Sequence, residues 1–377
     1  MSVSRFLSFS CLLLLATGCA THLPPEPAEA PPPPPPVVAP PPAPAPPPPK
    51  AADLVVDEQP IDLDSERYQA LFAELRVKHG FSDEELATIF AGVTIKKRVL
   101  ELMDMQWEAK PYYQYSPRFI TLGVISKGKK LIRQHREVLD RIEAEIGVER
   151  EIVVAIWGIE TQFGNHEGAF NLFQTLNTMF DAYPRRSKFY RQELIEFLLL
   201  CRENGVDPLA VTGSYGGAFG QTQFIPSSFR SYAVDFDHDG RRDVWHSVPD
   251  VLASIANYLK RSGWTLGAPV YWELGLELQD ERLVEAYKAG RRGLMPWQEV
   301  GELQGVALPP PPGEKPLTIV GLELEDGGMR YVAGYPNFQA ITKWNNSNRY
   351  AMAVSELAEK FREPAASVLG VPPEGGD

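Results

Sequence analysis

The side chain best placed for proton-transfer chemistry is Glu160, which follows eight residues without a charge. These residues, 152–159, are too few to span a membrane and predict a fully buried helix. We expect the helix to end near Gly164, because glycine commonly follows a helix C-terminus. Burial and the negative end of the helix dipole both disfavour a charged carboxylate, so they predict a raised pKa for Glu160 and proton donation near neutral pH. The segment alone leaves open a second interpretation, in which Glu160 surfaces and pairs with an arginine.

Two other stretches combine small polar residues with aromatic rings. Residues 213–229 carry four glycines in their first eight positions, which allows close backbone approach or positive φ angles. Residues 341–350 place a tryptophan, asparagines and a tyrosine at the start of a helix, and such groups suit sugar recognition by stacking and hydrogen bonding. Taken singly, the first stretch is also compatible with helix packing, and the second with a polar loop that contains core aromatics.

An acidic loop precedes the helix predicted at 250–261. Its sequence matches the opening of an EF-hand loop, with Asp235, Asp237 and Asp239 at positions 1, 3 and 5 and a glycine at position 6. The glutamate expected at position 12 is replaced by His246, and Asp250 is the nearest carboxylate that can close the site. The pattern therefore predicts a structural Ca²⁺ in a longer loop, with an aspartate-rich helix cap as the alternative.

Length and composition limit the classes of protein. A chain of 377 residues with 44% hydrophobic and 23% charged residues can hold two or three domains with a large core. The net charge of -12 argues against nucleic acid as a partner. Of three cysteines, Cys11 and Cys19 lie near the N-terminus, so Cys201 alone remains in the folded part and no internal disulfide is expected.

The N-terminal residues are predicted to form a targeting segment. Arg5 precedes a short apolar run that ends in Leu-Ala-Thr-Gly-Cys, which resembles the lipobox of bacterial lipoproteins. That resemblance implies a lipid on Cys19, and Ala20 in place of the aspartate that retains such proteins implies the outer membrane. A cleaved secretory signal without a lipid is the alternative.

A proline-rich segment follows. Residues 24–49 contain about half of the 35 prolines and predict an extended polyproline II stalk of roughly 3.1 Å per residue. The alternative, a ligand for a proline-binding module, is disfavoured because no cluster of basic residues flanks the segment, which Lys50 alone follows.

The rest of the chain is mainly helical with one β-containing part. Ser82 and Glu85 form a capping box, and amphipathic patterns continue to residue 145. Strands are predicted at 270–276, 317–323 and 329–332, with a hairpin turn at 326–328.

In their order along the chain, four motifs resemble the membrane-bound lytic murein transglycosylase B family: residues 156–164, 213–229, 235–258 and 337–354. The resemblance covers nearly all of residues 65–362. It implies a mainly α, α+β fold in which a lysozyme-like catalytic core carries a helical accessory domain and a small β-containing insertion. The boundaries expected are a signal peptide at 1–19, a stalk at 20–50, an accessory domain at 51–145, a catalytic core at 146–265, an α+β insertion at 266–334, a return to the core at 335–365, and a flexible tail at 366–377.

The same resemblance assigns roles to residues. Glu160 matches the family's single acid/base. The groups implied to line the sugar cleft are Ser214, Gln223, Trp344, Asn345 and Tyr350, with Trp344 standing where relatives often have tyrosine. The calcium ligands implied are Asp235, Asp237, Asp239, the backbone carbonyl of Arg241, and Asp250.

The resemblance implies cleavage of the bond between N-acetylmuramic acid and N-acetylglucosamine in peptidoglycan, without water, to give 1,6-anhydromuramyl ends. No catalytic cofactor is expected. The protein is expected to be a periplasmic monomer that binds glycan strands while a lipid anchors it to the outer membrane. Two alternatives remain at this point: a hydrolytic muramidase, because most glycosidases use two carboxylates, and a non-enzymatic peptidoglycan-binding lipoprotein.

Overall fold

The computed structural model describes residues 50–105 and 110–362, and most of these residues are helical. The α-helices of the first half are α1 (Glu66–His79), α2 (Asp83–Phe90), α3 (Lys97–Met103), α4 (Tyr112–Tyr115), α5 (Leu122–Gln134), α6 (Arg136–Glu145), α7 (Arg150–Thr161), α8 (Leu172–Ala182) and α9 (Ser187–Asn204). Those of the second half are α10 (Pro226–Tyr232), α11 (Val248–Arg261), α12 (Glu281–Ala289), α13 (Trp297–Gln304), α14 (Pro336–Trp344) and α15 (Asn348–Phe361).

The strands form two antiparallel sheets. They are β1 (Phe170–Asn171), β2 (Thr212–Gly213), β3 (Tyr271–Gly275), β4 (Leu294–Met295), β5 (Leu317–Glu323) and β6 (Met329–Gly334). β1 pairs with β2, and the larger sheet has the order β3-β6-β5-β4. β5 and β6 form the predicted hairpin, with Gly327 at φ 84° in its turn. The two-residue strands β1, β2 and β4 were not predicted, because they are too short for a recognisable alternation.

Helix α7 lies at the centre of the main hydrophobic core. Helices α5, α6, α11 and α15 pack against it. Its residues 152–158 are all buried, as the apolar run predicts. At roughly 1.5–3 kcal/mol for each large apolar side chain removed from water, this burial holds α7 in place. Because α7 is surrounded by other helices, any side chain at its C-terminal end has a defined position.

The helix starts follow local chemistry. Ser82 and Glu85 form the predicted capping box at α2, with both reciprocal hydrogen bonds present. Ser247 and Ser347 accept hydrogen bonds from the first turns of α11 and α15. The cap at Ser347 fixes the point at which the chain enters α15, which carries Tyr350.

The larger sheet has a hydrophobic core of its own. Leu274, Leu283, Val300, Leu317 and Tyr335 are among the buried residues of this smaller cluster. The cluster is consistent with a separate α+β insertion. Contacts nevertheless group the described residues into one unit, and the predicted domain boundaries stay predictions.

Several predictions concern residues outside those described: the signal peptide with Cys19, the stalk up to residue 49, and the tail at 366–377. Among the helices in residues 50–105 and 110–362, none has the length and apolarity needed to cross a membrane.

Candidate active site

Glu160 lies in the last turn of α7, as predicted, although the helix ends differently. The helix stops at Thr161, and the left-handed position beyond it is taken by Gln162 at φ 51°, followed by Phe163 at φ 61°. A non-glycine residue is tolerated here because the ring of Phe163 folds back against Gly158, where a Cβ would lie 2.8 Å from the ring. The packing of the Phe163 ring therefore ends α7 at Thr161, before the chain reaches Gly164.

Two donors hold the carboxyl group of Glu160. The indole Nε1 of Trp344 donates to Oε1 at 2.8 Å, and the hydroxyl of Tyr350 donates to the same Oε1 at 2.6 Å. Glu160 itself is partly buried, whereas Tyr350 is only 2% exposed. Both donors come from the α14–α15 segment, so this segment closes one side of the carboxyl group.

Burial raises the pKa of Glu160 to about 6, even though the hydrogen bonds from Tyr350 and Trp344 favour the charged form and oppose the rise. This confirms the direction predicted from the apolar run. No ion pair reaches Glu160 within residues 50–105 and 110–362, so the alternative of a surface pair with arginine is wrong. A carboxyl group with a pKa near 6 can both lose and regain a proton close to neutral pH.

Aromatic rings surround the indole of Trp344. The ring of Phe224 lies 5.1 Å from it and that of Tyr258 lies 4.8 Å from it, centroid to centroid. Tyr258 also donates its hydroxyl to the carbonyl of Lys343 at 2.5 Å. These contacts fix the orientation of the indole that donates to Glu160.

The glycine-rich stretch forms a folded loop that presents Ser214. The Ser214 amide donates to the carbonyl of Ala218 at 2.7 Å, and its Oγ accepts from the Ala218 amide at 3.1 Å. Gly168, at φ 99°, passes so close that a Cβ would lie 2.2 Å from the carbonyl of Gly213. Ser214 is therefore fixed in position by backbone contacts, although it makes no hydrogen bond to Glu160.

Gln223 and Asn345 flank the same aromatic cluster. Gln223, at φ 50°, donates its Nε2 to the carbonyls of Gly220 at 2.9 Å and Glu167 at 3.1 Å. Its Oε1 has no hydrogen-bond partner in the described part of the chain, and its neighbour Phe224 packs on Trp344. The side chain of Asn345 is likewise without a hydrogen bond among the described residues. Both side chains keep polar atoms available for a ligand.

Gln221 is a residue of this site that the sequence did not reveal. Its Oε1 accepts from the indole of Trp157 at 2.9 Å, and its Nε2 donates to the carbonyl of Trp245 at 2.7 Å. A Cβ on Gly164 would lie 2.5 Å from this amide. Gln221 thus joins the glycine-rich loop to the end of α7, and Gly164 serves this contact rather than the helix end.

The acidic loop brings three of the predicted ligands together. Asp235, Asp237 and Asp250 each place a carboxylate oxygen within 4.8 Å of the other two. Asp250 is buried, accepts from the amides of Phe236 and Asp243 at 2.7 and 2.8 Å, and has a pKa raised chiefly by burial. Oxygen ligands at this spacing fit a hard divalent cation.

The other two predicted ligands lie outside this group of three. The carboxylate of Asp239 accepts from the amide of Arg241 at 2.8 Å, in a local turn. The assignment of Asp239 and of the Arg241 carbonyl as ligands stays a prediction.

The mainly helical fold, with a partly buried carboxyl group at the end of α7 beside aromatic rings, is the arrangement expected of a lysozyme-like glycan-cleaving enzyme. The chain belongs to the transglycosylase SLT domain family, whose model matches residues 64–359. It is a lytic transglycosylase of peptidoglycan, and the predicted family, fold class and enzyme class are confirmed.

Named relatives agree with this assignment. Membrane-bound lytic murein transglycosylase B from Escherichia coli is 35% identical over 300 residues, which are 75% of this chain and 79% of that protein. The structure of soluble lytic transglycosylase SltB1 from Pseudomonas aeruginosa is 39% identical with a TM-score of 0.70, covering 78% of this chain and 97% of that one.

Two further solved structures contain ligands. Escherichia coli Slt35 in complex with calcium is 31% identical with a TM-score of 0.70, covering 81% of this chain and 98% of that one. SltB3 from Pseudomonas aeruginosa in complex with NAG-anhNAM-pentapeptide is 34% identical with a TM-score of 0.66, covering 78% of this chain and 79% of that one.

Proposed function

We propose that Glu160 is the single acid/base with which this lytic transglycosylase cleaves the β-1,4 bond between N-acetylmuramic acid and N-acetylglucosamine. The observation that carries the proposal is its carboxyl group, partly buried at the end of α7 with a pKa of about 6. A group with this pKa is protonated often enough to act as an acid and deprotonated often enough to act as a base.

The reaction proceeds in two proton transfers. Glu160 gives its proton to the glycosidic oxygen as the bond from C1 of the muramyl residue to that oxygen breaks, and the bonding pair leaves with the oxygen. The oxygen of the N-acetyl group on the same muramyl residue stabilises the positive charge that develops at C1. The 6-hydroxyl then attacks C1 and returns its proton to Glu160, which closes the 1,6-anhydro ring without consuming water.

The sugar-binding residues follow from their free polar atoms. We assign Gln223 and Asn345 to the recognition of sugar hydroxyl or N-acetyl groups, because each keeps polar atoms that no other described residue binds, beside the Trp344 cluster. Ser214 is assigned to the same cleft from the rigid loop that presents it. SltB3, a relative, is in complex with NAG-anhNAM-pentapeptide, which supports peptidoglycan strands as the ligand of this chain.

The products of the reaction test the proposal against hydrolysis. Residues 51–377, incubated with purified peptidoglycan, are expected to release fragments that end in 1,6-anhydromuramic acid, identified by mass spectrometry after separation. The mass of each fragment should be that of the hydrolytic product minus one water. Fragments with reducing muramic ends would instead establish a hydrolytic muramidase and remove the internal attack by the 6-hydroxyl.

We further propose that the acidic loop binds a structural Ca²⁺. The three carboxylates of Asp235, Asp237 and Asp250 form one side of the site, and a relative, Slt35, is in complex with calcium. Asp239 and the carbonyl of Arg241 are the remaining ligands in this proposal. The ion has no part in catalysis and would stabilise the loop that precedes α11.

The cellular location is proposed from the N-terminal sequence and from one relative. The Escherichia coli relative is named as membrane-bound, and the lipobox-like sequence ending at Cys19 supplies a site for a lipid. We place the enzyme in the periplasm, anchored to the outer membrane by a lipid on Cys19 and acting on peptidoglycan at the end of the proline-rich stalk. A monomer suffices for this arrangement.

Replacement of the lipidation site tests the anchor. In a Cys19→Ser variant the full-length protein is expected to lose incorporation of radiolabelled palmitate and to leave the outer-membrane fraction. A Cys201→Ser variant serves as the matched control, because this buried cysteine lies in α9, far along the chain from the signal segment. Labelling that persists in Cys19→Ser would contradict the anchor, and labelling lost in both variants would show that the assay does not report on Cys19.

A further inference from the structure

Trp344 and Tyr350 donate to the same oxygen of Glu160 and leave the other oxygen, Oε2, without either donor. We propose that Oε1 is permanently the accepting oxygen and that Oε2 alone carries the proton in both transfers, with Trp344 and Tyr350 as the residues that impose this division. The inference rests on the proposed role of Glu160 and adds an assignment of its two oxygens. Trp344 and Tyr350 become positioning residues, which differs from the sugar-contacting role that the sequence suggested.

The chemistry of the donors carries the assignment. An indole N–H can only donate, so an oxygen 2.8 Å from Nε1 of Trp344 must accept and cannot itself bear a proton directed at that nitrogen. The phenol of Tyr350 is 2% exposed and places its hydroxyl on the same oxygen. With one lone pair of Oε1 taken by the indole N–H and the other by the Tyr350 hydroxyl, the proton of the neutral carboxyl group is placed on Oε2.

This division has a consequence for the order of events. Oε2–H protonates the glycosidic oxygen, and the electron pair of the C1–O bond leaves with that oxygen. The same Oε2, now without its proton, then takes the proton of the 6-hydroxyl as the oxygen of that hydroxyl bonds to C1. Both sugar oxygens must occupy the position next to Oε2, one after the other, because Oε1 is closed to substrate by its two donors.

The donors also set the proton affinity of the group. Hydrogen bonds from Tyr350 and Trp344 stabilise the carboxylate and lower the pKa of Glu160, while burial raises it. Tyr115 of α4 and Tyr258 of α11 are the titratable groups beside Tyr350, and Lys127 of α5 donates to the Gln162 carbonyl at the end of α7. None of these three groups contributes a shift to Glu160 itself.

The pH dependence of kcat/KM tests the inference. The reaction starts from protonated Glu160, so kcat/KM of the wild type is expected to fall as the pH rises through about 6. Removing one donor destabilises the carboxylate, so Trp344→Phe and Tyr350→Phe should each move this fall upward by about one pH unit. A role limited to packing would lower kcat at every pH and leave the position of the fall unchanged.

Two further variants keep the test decisive. Incorporation of 3-benzothienylalanine at position 344 replaces the indole N–H with sulfur at nearly the same shape, so the pH shift should appear even if Trp344→Phe disturbs folding. Tyr68→Phe is the matched control: it also removes one buried tyrosine hydroxyl, but that hydroxyl lies in α1 and donates to Asn177 Oδ1 and not to Glu160. The kcat/KM of this control variant should fall at about the same pH as that of the wild type.

The outcomes separate this inference from the proposed function. If Glu160→Gln is inactive and the variants at 344 and 350 keep the wild-type pH dependence, Glu160 is the acid/base but its two oxygens are not divided by the donors. If Glu160→Gln remains active, the proposed function fails first, whatever the pH dependence of the other variants.

Discussion

The Glu160→Gln variant is expected to lose peptidoglycan cleavage by roughly 10³-fold or more while it still binds peptidoglycan. General acid or base catalysis by one positioned group contributes about 10² to 10⁴ in rate, and in the proposed mechanism one group performs both transfers. The amide of glutamine can neither give a proton to the glycosidic oxygen nor take one from the 6-hydroxyl. Release of soluble anhydromuropeptides measures the first expectation, and co-sedimentation with peptidoglycan measures the second.

The geometry also predicts that this variant folds. Glutamine keeps a carbonyl oxygen that can accept from Trp344 and Tyr350, so neither donor loses its partner. Its free energy of unfolding should therefore stay within about 1 kcal/mol of the wild type. Glu160→Ala removes the acceptor from both donors, and at about 1–3 kcal/mol for each unsatisfied buried group it should unfold at lower urea concentration than Glu160→Gln.

A second glutamate on α7 supplies the matched control. Glu151 lies in the first turn of the helix and is partly buried. Its side chain forms no hydrogen bond or ion pair among the described residues. Glu151→Gln makes the same chemical change at the opposite end of α7 and should retain cleavage. Equal loss in both variants would mean that the substitution acts through the helix, and Glu160 would no longer be identified as the acid/base.

Removal of calcium is the second large effect expected. At a free Ca²⁺ concentration about 100 times the Kd, binding to the folded state alone adds roughly 2.7 kcal/mol to the free energy of unfolding. For a unit of this size, that gain raises the melting temperature by roughly 5 °C. The measurement is thermal unfolding with Ca²⁺, with a chelator, and with Mg²⁺. Mg²⁺ should stabilise less, because it demands a smaller and more regular octahedral site.

Substitution within the acidic loop shows whether the stabilisation comes from this site. Asp237 is exposed and its carboxylate accepts from Ser247 Oγ at 2.6 Å, so Asp237→Asn keeps an acceptor while it removes one charge from the group of three. The calcium-dependent rise in melting temperature should shrink or vanish, while the melting temperature measured in the presence of chelator should change little. Asp207→Asn is the control, since Asp207 lies in another turn and accepts from the Leu209 amide at 2.9 Å. An unchanged calcium effect in Asp237→Asn would assign the ion to another place.

Local chemistry made much of the fold predictable. The capping box at Ser82, the hairpin turn at Gly327 and the strand Leu317–Glu323 were expected where they are found, because each depends on residues only a few positions apart. The buried helix and the raised pKa of Glu160 were predicted for the same reason, since the apolar run that buries the carboxyl group directly precedes it.

The resemblance to a family extended the prediction to residues that lie far apart in sequence. The order of four motifs indicated a lytic transglycosylase, and the family match confirms it. The same resemblance named Trp344 and Tyr350 as cleft residues, but it carried no information about which atoms they contact. Their shared contact with one oxygen of Glu160 was not predicted.

The sequence by itself determined the helical content, the buried acid and the acidic loop, because these depend on short-range patterns of apolar, capping and charged residues. Only the tertiary structure decided how α7 ends, where Phe163 packs against Gly158, and which oxygen of Glu160 meets Trp344 and Tyr350, which lie 184 and 190 residues further along the chain. The physical reason is that such contacts are set by the packing of α14 and α15 against the core around α7. That packing sums many weak contacts between distant residues, and no single segment of the sequence contains it.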